Sequence, residues 1–330
     1  MRAVVIHEFG PIENLKLEEV DAPVPGKGEV LIDVHAIGIN FPDTLMMQGL
    51  YQTKPERPFS PGRDVAGVVS AVGEGVTAVK PGDQVMALVT FGGYAEQCIA
   101  PEARCFKLPD AIDFATAAGM LTVYLTAWVA LMVRGAYQPG EKVLVLGASG
   151  GVGLAAVQIA KAHGATVVGA STSEERGKIV LENGADAVID LSVEDIGEGL
   201  RSQVFEAVGK EGVDIVLDPL GGDIFTAALR AMAFAGRIVC IGFVAGIPTA
   251  RPNYFNVKNL TLAGMALDLH FRFKPEVIER ASADILNLYS EGKIKPRIEA
   301  TYPLEDFQQA LAQFKETKSP GKLVLTTGRG

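Results

Sequence analysis

The chain has 330 residues, room for two domains with substantial cores. Thirty Lys and Arg against 39 Asp and Glu leave a net charge of −9, which repels phosphate backbones and anionic membranes, so neither nucleic acid nor a membrane is expected as a partner. Hydrophobic residues at 48% and charged residues at 21% argue against disorder, while three cysteines, Cys98, Cys105 and Cys240, odd in number and without a CxxC pair, argue against a complete disulfide framework and point to a reducing, cytoplasmic setting.

From the amino terminus, Met1 to Glu8 carries too short an apolar run for a signal peptide, so the mature chain is expected to start here. The runs that follow are short and β-branched, Val30 to Val34 and Val65 to Val69, and are punctuated by Pro25-Gly26, Pro61-Gly62 and Pro81-Gly82. That texture predicts a compact, mostly β unit. Phe114 to Val133 then contains no charged residue, long enough to cross a bilayer if helical. It lacks a flanking basic cluster and carries Thr116, Thr122, Tyr124 and Thr126, so a buried helix under the domain junction is expected.

From Glu141 strand-like runs alternate with helix-length segments: Val143 to Gly147, Thr166 to Ala170, Ala187 to Asp190, Asp214 to Asp218, Arg237 to Gly242 and Leu260 to Ala266. Such alternation predicts an α/β, doubly wound parallel sheet. Its first strand enters Gly147-Ala148-Ser149-Gly150-Gly151-Val152-Gly153, a glycine-rich turn opening a helix, in an AxGxxG form of the dinucleotide fingerprint. Glycine at 150 would let the backbone approach a pyrophosphate, glycine at 153 would let helix and strand pack, and the helix terminus offers N–H groups to phosphate. After the second strand, where NAD-binding sheets usually offer Asp or Glu to the ribose hydroxyls, this chain has Ser171-Thr172-Ser173-Glu174-Glu175-Arg176. The missing acid, the hydroxyls of Ser171 and Ser173 and the Arg176 cation favour the 2′-phosphate of NADPH, although Ser173 also reads as a helix cap. Two amphipathic stretches, Pro275 to Ser290 and Leu304 to Lys315, and a strand-like Lys322 to Thr326 close the chain. The expected domains are residues 1–123, 124–267 and a return of 268–330 to the first, with a cleft between them.

Pro61 to Val69, Val72 to Val76, Pro81 to Val85, Gly92 to Glu96 and Asp218 to Gly222 together resemble the medium-chain dehydrogenase/reductase superfamily, closest to its zinc-free, zeta-crystallin-like quinone oxidoreductases. The resemblance implies a GroES-like, partly barrel-shaped catalytic domain beside the Rossmann sheet. The zinc branch would have Cys, His and Cys where this chain has Asn40, Arg63 and, nearby, Ala118, and the four histidines His7, His35, His163 and His270 are scattered. No metal is expected. The resemblance also places Asn40, Asp43, Tyr51 and Thr122 around the nicotinamide and acceptor. Asn40 is expected to donate to an acceptor oxygen or to the carboxamide, although Asn40 to Asp43 also reads as a turn and cap with Asp43 starting a helix. Tyr51 matches a tyrosine similar to a general acid in related enoyl thioester reductases, or is a loop tyrosine packed at the cleft edge. Ala148 to Gly153, Ser171, Thr172, Arg176, Gly242 and Phe243 are the expected cofactor contacts. Arg63 would steer anionic substrates or pair structurally with Asp64, the second being favoured.

The leading function is NADPH-dependent hydride transfer to a quinone. Reduction of activated C=C bonds, as in enoyl thioesters or acrylate-like acids, is the alternative within enzymes, and a non-catalytic NADPH-binding protein of crystallin or RNA-binding type is the alternative outside them. Leu260 to Ala266 resembles the edge strand through which such enzymes dimerise, so a homodimer is expected.

Overall fold

Strand β1 (Arg2–Val5) pairs antiparallel with β2 (Lys16–Glu19), and the chain then builds β3 (Glu29–Gly38), helix α1 (Phe41–Met47), β4 (Asp64–Val72), β5 (Gln84–Leu88), β6 (Gln97–Pro101) and β7 (Cys105–Lys107). The computed structural model describes residues 1–317 and 320–329. In β3 the apolar alternation sends Val30, Ile32, Val34 and Ala36 into the core, the period-two burial of a strand with one packed face. Pro42 stands in the first turn of α1, where a missing N–H costs nothing. Gly62 has φ +94°, and a Cβ there would lie 2.2 Å from the Tyr94 ring, so only glycine lets the chain turn into β4 at this point.

Helix α2 (Phe114–Trp128) continues as a π-helical segment, Val129–Arg134. By length and composition it is apolar enough to cross a membrane, but 78% of its most apolar window is buried within the protein. The chain changes unit inside this helix: the structure divides into Met1–Thr122 with Pro296–Gly330, and Val123–Lys295.

The second unit alternates strand and helix: β8 (Lys142–Val145), α3 (Gly151–Ala162), β9 (Thr166–Ser171), α4 (Glu174–Glu182), β10 (Ala187–Asp190), α5 (Ile196–Val208), β11 (Val213–Asp218), α6 (Gly222–Ala231), β12 (Met232–Cys240), α7 (Pro252–Lys258) and β13 (Thr261–Gly264). All six strands run parallel, in the order β10-β9-β8-β11-β12-β13. The winding direction reverses between β8 and β11, which opens a crevice outside their carboxyl ends.

Helices α8 (Leu267–Phe273) and α9 (Pro275–Ser290) follow, and here the expected return at residue 268 is corrected. Both belong to the parallel-sheet unit, and the chain leaves it only at Pro296. Asp284 on α9 accepts from Trp128 Nε1 at 2.7 Å and lies 2.9 Å from His163 Nε2, all within that unit. Helical periodicity shows that α9 buries a face, here Ile278, Ala281, Ile285 and Leu288, but not which core receives it.

The remaining elements are β14 (Ile298–Pro303), a 3₁₀ turn, α10 (Phe307–Thr317) and β15 (Lys322–Thr326). They complete the first unit's sheet, ordered β14-β15-β3-β4-β5-β7 with β6 also on β3. Strand β15 lies antiparallel to β3, with Val324 opposite Gly38.

Candidate active site

In the second unit the fingerprint segment forms the turn between β8 and α3. Gly150 caps α3 without a side-chain bond, and the helix's first turn holds no acid to compete for its N–H groups. A Cβ on Gly150 would meet one atom, the Gly147 carbonyl oxygen at 3.5 Å, whereas a Cβ on Gly153 would press to 2.3 Å from that same oxygen and 2.7 Å from Ala148 Cα. The two glycines therefore differ in role as their positions suggest: room above the turn at 150, close packing at 153. Ala148, Ser149, Gly151 and Val152 complete the turn, and Gly242 and Phe243 follow β12 at the same edge of the sheet. Phe243 is half exposed.

The end of β9 differs in detail from its expectation. Ser171 is 3% exposed and its hydroxyl donates to the Ser173 carbonyl at 3.2 Å, so its hydrogen is already engaged in the turn. Ser173 accepts from Arg176 N at 3.4 Å as the N-cap of α4, while Thr172 is exposed and Arg176 half-buried.

In the first unit a buried polar network gathers most of the other expected residues. Asn40 Nδ2 donates to Asp64 Oδ2 at 3.0 Å and to the Gly38 carbonyl at 3.2 Å, and Lys322 Nζ donates to Asn40 Oδ1 at 2.6 Å and to the Ile39 carbonyl. An ammonium only donates and a carbonyl only accepts, so the chemistry of these neighbours fixes which end of the amide is which. Both Asn40 hydrogens are thus in use. Thr122 Oγ1 donates to Asp64 Oδ1 and its backbone N–H to Oδ2 at 3.3 Å. Toward any reactant Asn40 and Thr122 offer oxygen lone pairs, and the expectation that Asn40 donates to an acceptor oxygen or to the carboxamide is corrected: β3 and β4 bring acceptors to its nitrogen first.

Asp43 is also relocated. As the third residue of α1 its Oδ2 turns back to accept from Asn40 N at 2.8 Å and from Tyr94 Oη at 3.3 Å, and the residue is fully buried. Its Oδ1 has no hydrogen-bond partner among the described residues. Burial, then the Asp64 charge, raises the carboxyl from 3.8 to about 7, against the Asn40 N–H bond and the Lys322 and Arg63 charges. Burial likewise pushes the Lys322 ammonium down and the Tyr94 phenol up.

Tyr51 packs partly buried against the first unit's core and is held by Arg63, whose Nη1 donates to the phenol oxygen at 2.7 Å with the guanidinium carbon 5.6 Å from the ring centre. Arg63 is 6% exposed, and its Nε also reaches the Val89 carbonyl at 3.5 Å. Lys322 and Asp64 are the members of this site that sequence reasoning missed. Asp64 reads in the sequence only as part of a family motif and as a structural partner for Arg63, and the one signal for Lys322 is a cation heading the otherwise apolar strand Lys322–Thr326.

Comparison with known proteins follows the same division. The family model "Alcohol dehydrogenase GroES-like domain" matches residues 26–110, and "Zinc-binding dehydrogenase" matches residues 151–283. The second description implies zinc, but the donors here do not fit it. Asn40 and Arg63 bring an amide and a guanidinium, Lys322 adds an ammonium, and no group of three or more His, Cys, Asp or Glu among the described residues could hold a metal ion. The human protein named quinone oxidoreductase is 38% identical over 98% of this chain and 97% of its own length. The synaptic vesicle membrane protein VAT-1 homolog of Rattus norvegicus is 36% identical over 99% of this chain and 84% of its own. The crystal structure of Escherichia coli quinone oxidoreductase complexed with NADPH superposes with a TM-score of 0.90 at 31% identity, covering 99% of this chain and all of that one. A β-rich unit with a buried Asn-Asp-Lys network, a doubly wound unit with its glycine turn, and likeness along the full length agree: this chain is an oxidoreductase and belongs to the quinone oxidoreductase branch of the medium-chain dehydrogenase/reductase superfamily.

Proposed function

We propose that the protein is an NADPH-dependent, metal-independent reductase that delivers a hydride to a quinone. The observation that carries this reading is the glycine turn opening α3 at the reversal point of the parallel sheet, with no acidic side chain at the end of β9. The NADPH held by the Escherichia coli structure and the names of the relatives support it. NADPH supplies the hydride when bound. The N–H groups of the first turn of α3 would take its pyrophosphate, with Gly150 leaving room for the approach. Thr172, the Ser173 hydroxyl and Arg176 would take the 2′-phosphate, and Gly242 with Phe243 would line the site after β12. Asn40 and Thr122, each clamped by the buried carboxylate of Asp64, would hold N–H or O–H groups of the reactants by their lone pairs.

A second reading, reduction of an activated C=C bond, is supported by the Tyr51–Arg63 pair. A guanidinium bonded to the phenol oxygen steadies the charge left there when a proton departs, and alkene reduction requires a proton at the carbon α to the carbonyl, whereas a reduced quinone takes its protons from solvent. NADPH oxidation by wild type and Tyr51→Phe, with a simple quinone and a crotonyl thioester side by side, separates the two. Quinone turnover changing less than about threefold in the variant, with slow thioester turnover, is the expected result. Thioester turnover that exceeds the quinone rate and collapses at least tenfold in Tyr51→Phe would replace the quinone reading with the second.

A further inference from the structure

Lys322 stands out among the buried charges of the protein. It is 5% exposed, and both of its hydrogen-bond partners are neutral oxygens, the Ile39 carbonyl and Asn40 Oδ1, although two carboxylates belong to the same network. A buried ammonium costs desolvation energy, and methionine would fill the same volume at the head of an apolar strand without that cost. The contact also joins residues 282 positions apart, adding a side-chain tie where the Ile39 N–H already donates to the Leu323 carbonyl at 3.0 Å and holds β15 beside the turn between β3 and α1. Both atoms Lys322 holds lie on consecutive residues of that turn, one backbone and one side chain, while Asp64 and the Gly38 carbonyl hold the opposite end of the same amide.

We propose that Lys322 is a positioning residue that acts through Asn40. Its ammonium fastens the Ile39–Asn40 turn to β15 and clamps the amide at the oxygen end, so that the Asn40 side chain is held in one orientation. The inference rests on the reading that Asn40 faces the reactants, and it assigns a part in catalysis to the last strand of the chain.

The test is a double-mutant cycle with Lys322→Met, Lys322→Gln and Asn40→Ala, read as kcat and KM for quinone and NADPH, with thermal midpoints and the Asn40 side-chain amide resonances recorded for each folded protein. Lys322→Met is expected to lower kcat about tenfold with KM for NADPH within twofold, and to shift the Asn40 amide pair. Lys322→Gln, which retains two N–H donors without the charge, is expected to recover most of kcat. In the Asn40→Ala background, Lys322→Met is expected to cost less than twofold. An unshifted amide pair in Lys322→Met, or the full loss of kcat persisting in the Asn40→Ala background, overturns the proposal. If Asn40→Ala leaves kcat unchanged while the amide pair still shifts in Lys322→Met, the assignment of Asn40 to the reacting site fails, and with it the catalytic part of Lys322.

Discussion

Asp43 shows how one residue can serve local structure at an electrostatic cost. Its carboxylate closes the N-terminal turn of α1 on Asn40 N, as a third-position acid does in a capping box, yet the residue is fully buried beside Asp64, with Tyr94, Lys322 and Arg63 as the other ionisable groups acting on it. The folded chain keeps the Asp43 proton to about pH 7, whereas the unfolded chain releases it near 3.8. Between those values the folded state binds more protons, so this group makes stability fall as pH rises, by on the order of 4 kcal/mol at most. Asp43→Asn removes the ionisation and keeps an oxygen for Asn40 N. Urea unfolding at pH 4.5 and pH 8 is expected to show wild type losing a few kcal/mol more than the variant across that interval. Equal losses in the two proteins would mean that Asp43 does not titrate in this window.

At the scale of elements, Gln158 on α3 does for the second unit what Asp64 does for the first. Its Oε1 accepts from Tyr124 Oη at 2.7 Å and from Lys295 N at 2.8 Å, and its Nε2 donates to the Lys295 carbonyl at 2.9 Å and to Asn183 Oδ1 at the end of α4. One buried amide with every position satisfied ties together α2, α3, α4 and the segment before Pro296. Gln158→Leu leaves several buried polar groups without partners and is expected to cost roughly 3 kcal/mol or more, because each orphaned group carries its own desolvation penalty. Chemical unfolding measures this directly, and a cost below 1 kcal/mol would show that these groups find partners elsewhere. Elements with local signals were legible in the sequence: the alternating burial of β3, the glycine turn before α3 and the span of α9 all follow from periodicity or from residues with special backbone freedom. The domain that α9 joins was not legible, since its partners Trp128 and His163 lie more than a hundred residues earlier.

For the whole molecule, β13 is the edge of the parallel sheet, paired with β12 on one side, and Thr261, Leu262 and Gly264 are exposed along it. Such an edge offers a row of backbone donors and acceptors that a second copy can pair by symmetry. Light scattering after size exclusion is expected to give twice the chain mass for wild type and the single mass for Leu262→Pro, which removes one N–H from that row. A single-chain mass for wild type would end the homodimer proposal.

What the amino-acid order determined by itself is the chemistry that depends on neighbours in the chain: the strand-turn-helix that suits a dinucleotide phosphate, the missing acid after β9, the unsuitability of Asn40 and Arg63 as zinc ligands, and the two-unit architecture. Tertiary structure alone decided the polarity of the site. Asn40 reads as a donor in isolation and becomes an acceptor once β4 brings Asp64 to its nitrogen and β15 brings Lys322 to its oxygen. Ser171 reads as a phosphate donor until its turn takes the hydrogen. Hydrogen-bonding capacity belongs to the residue, but which part of it remains available is settled by partners that only folding brings near.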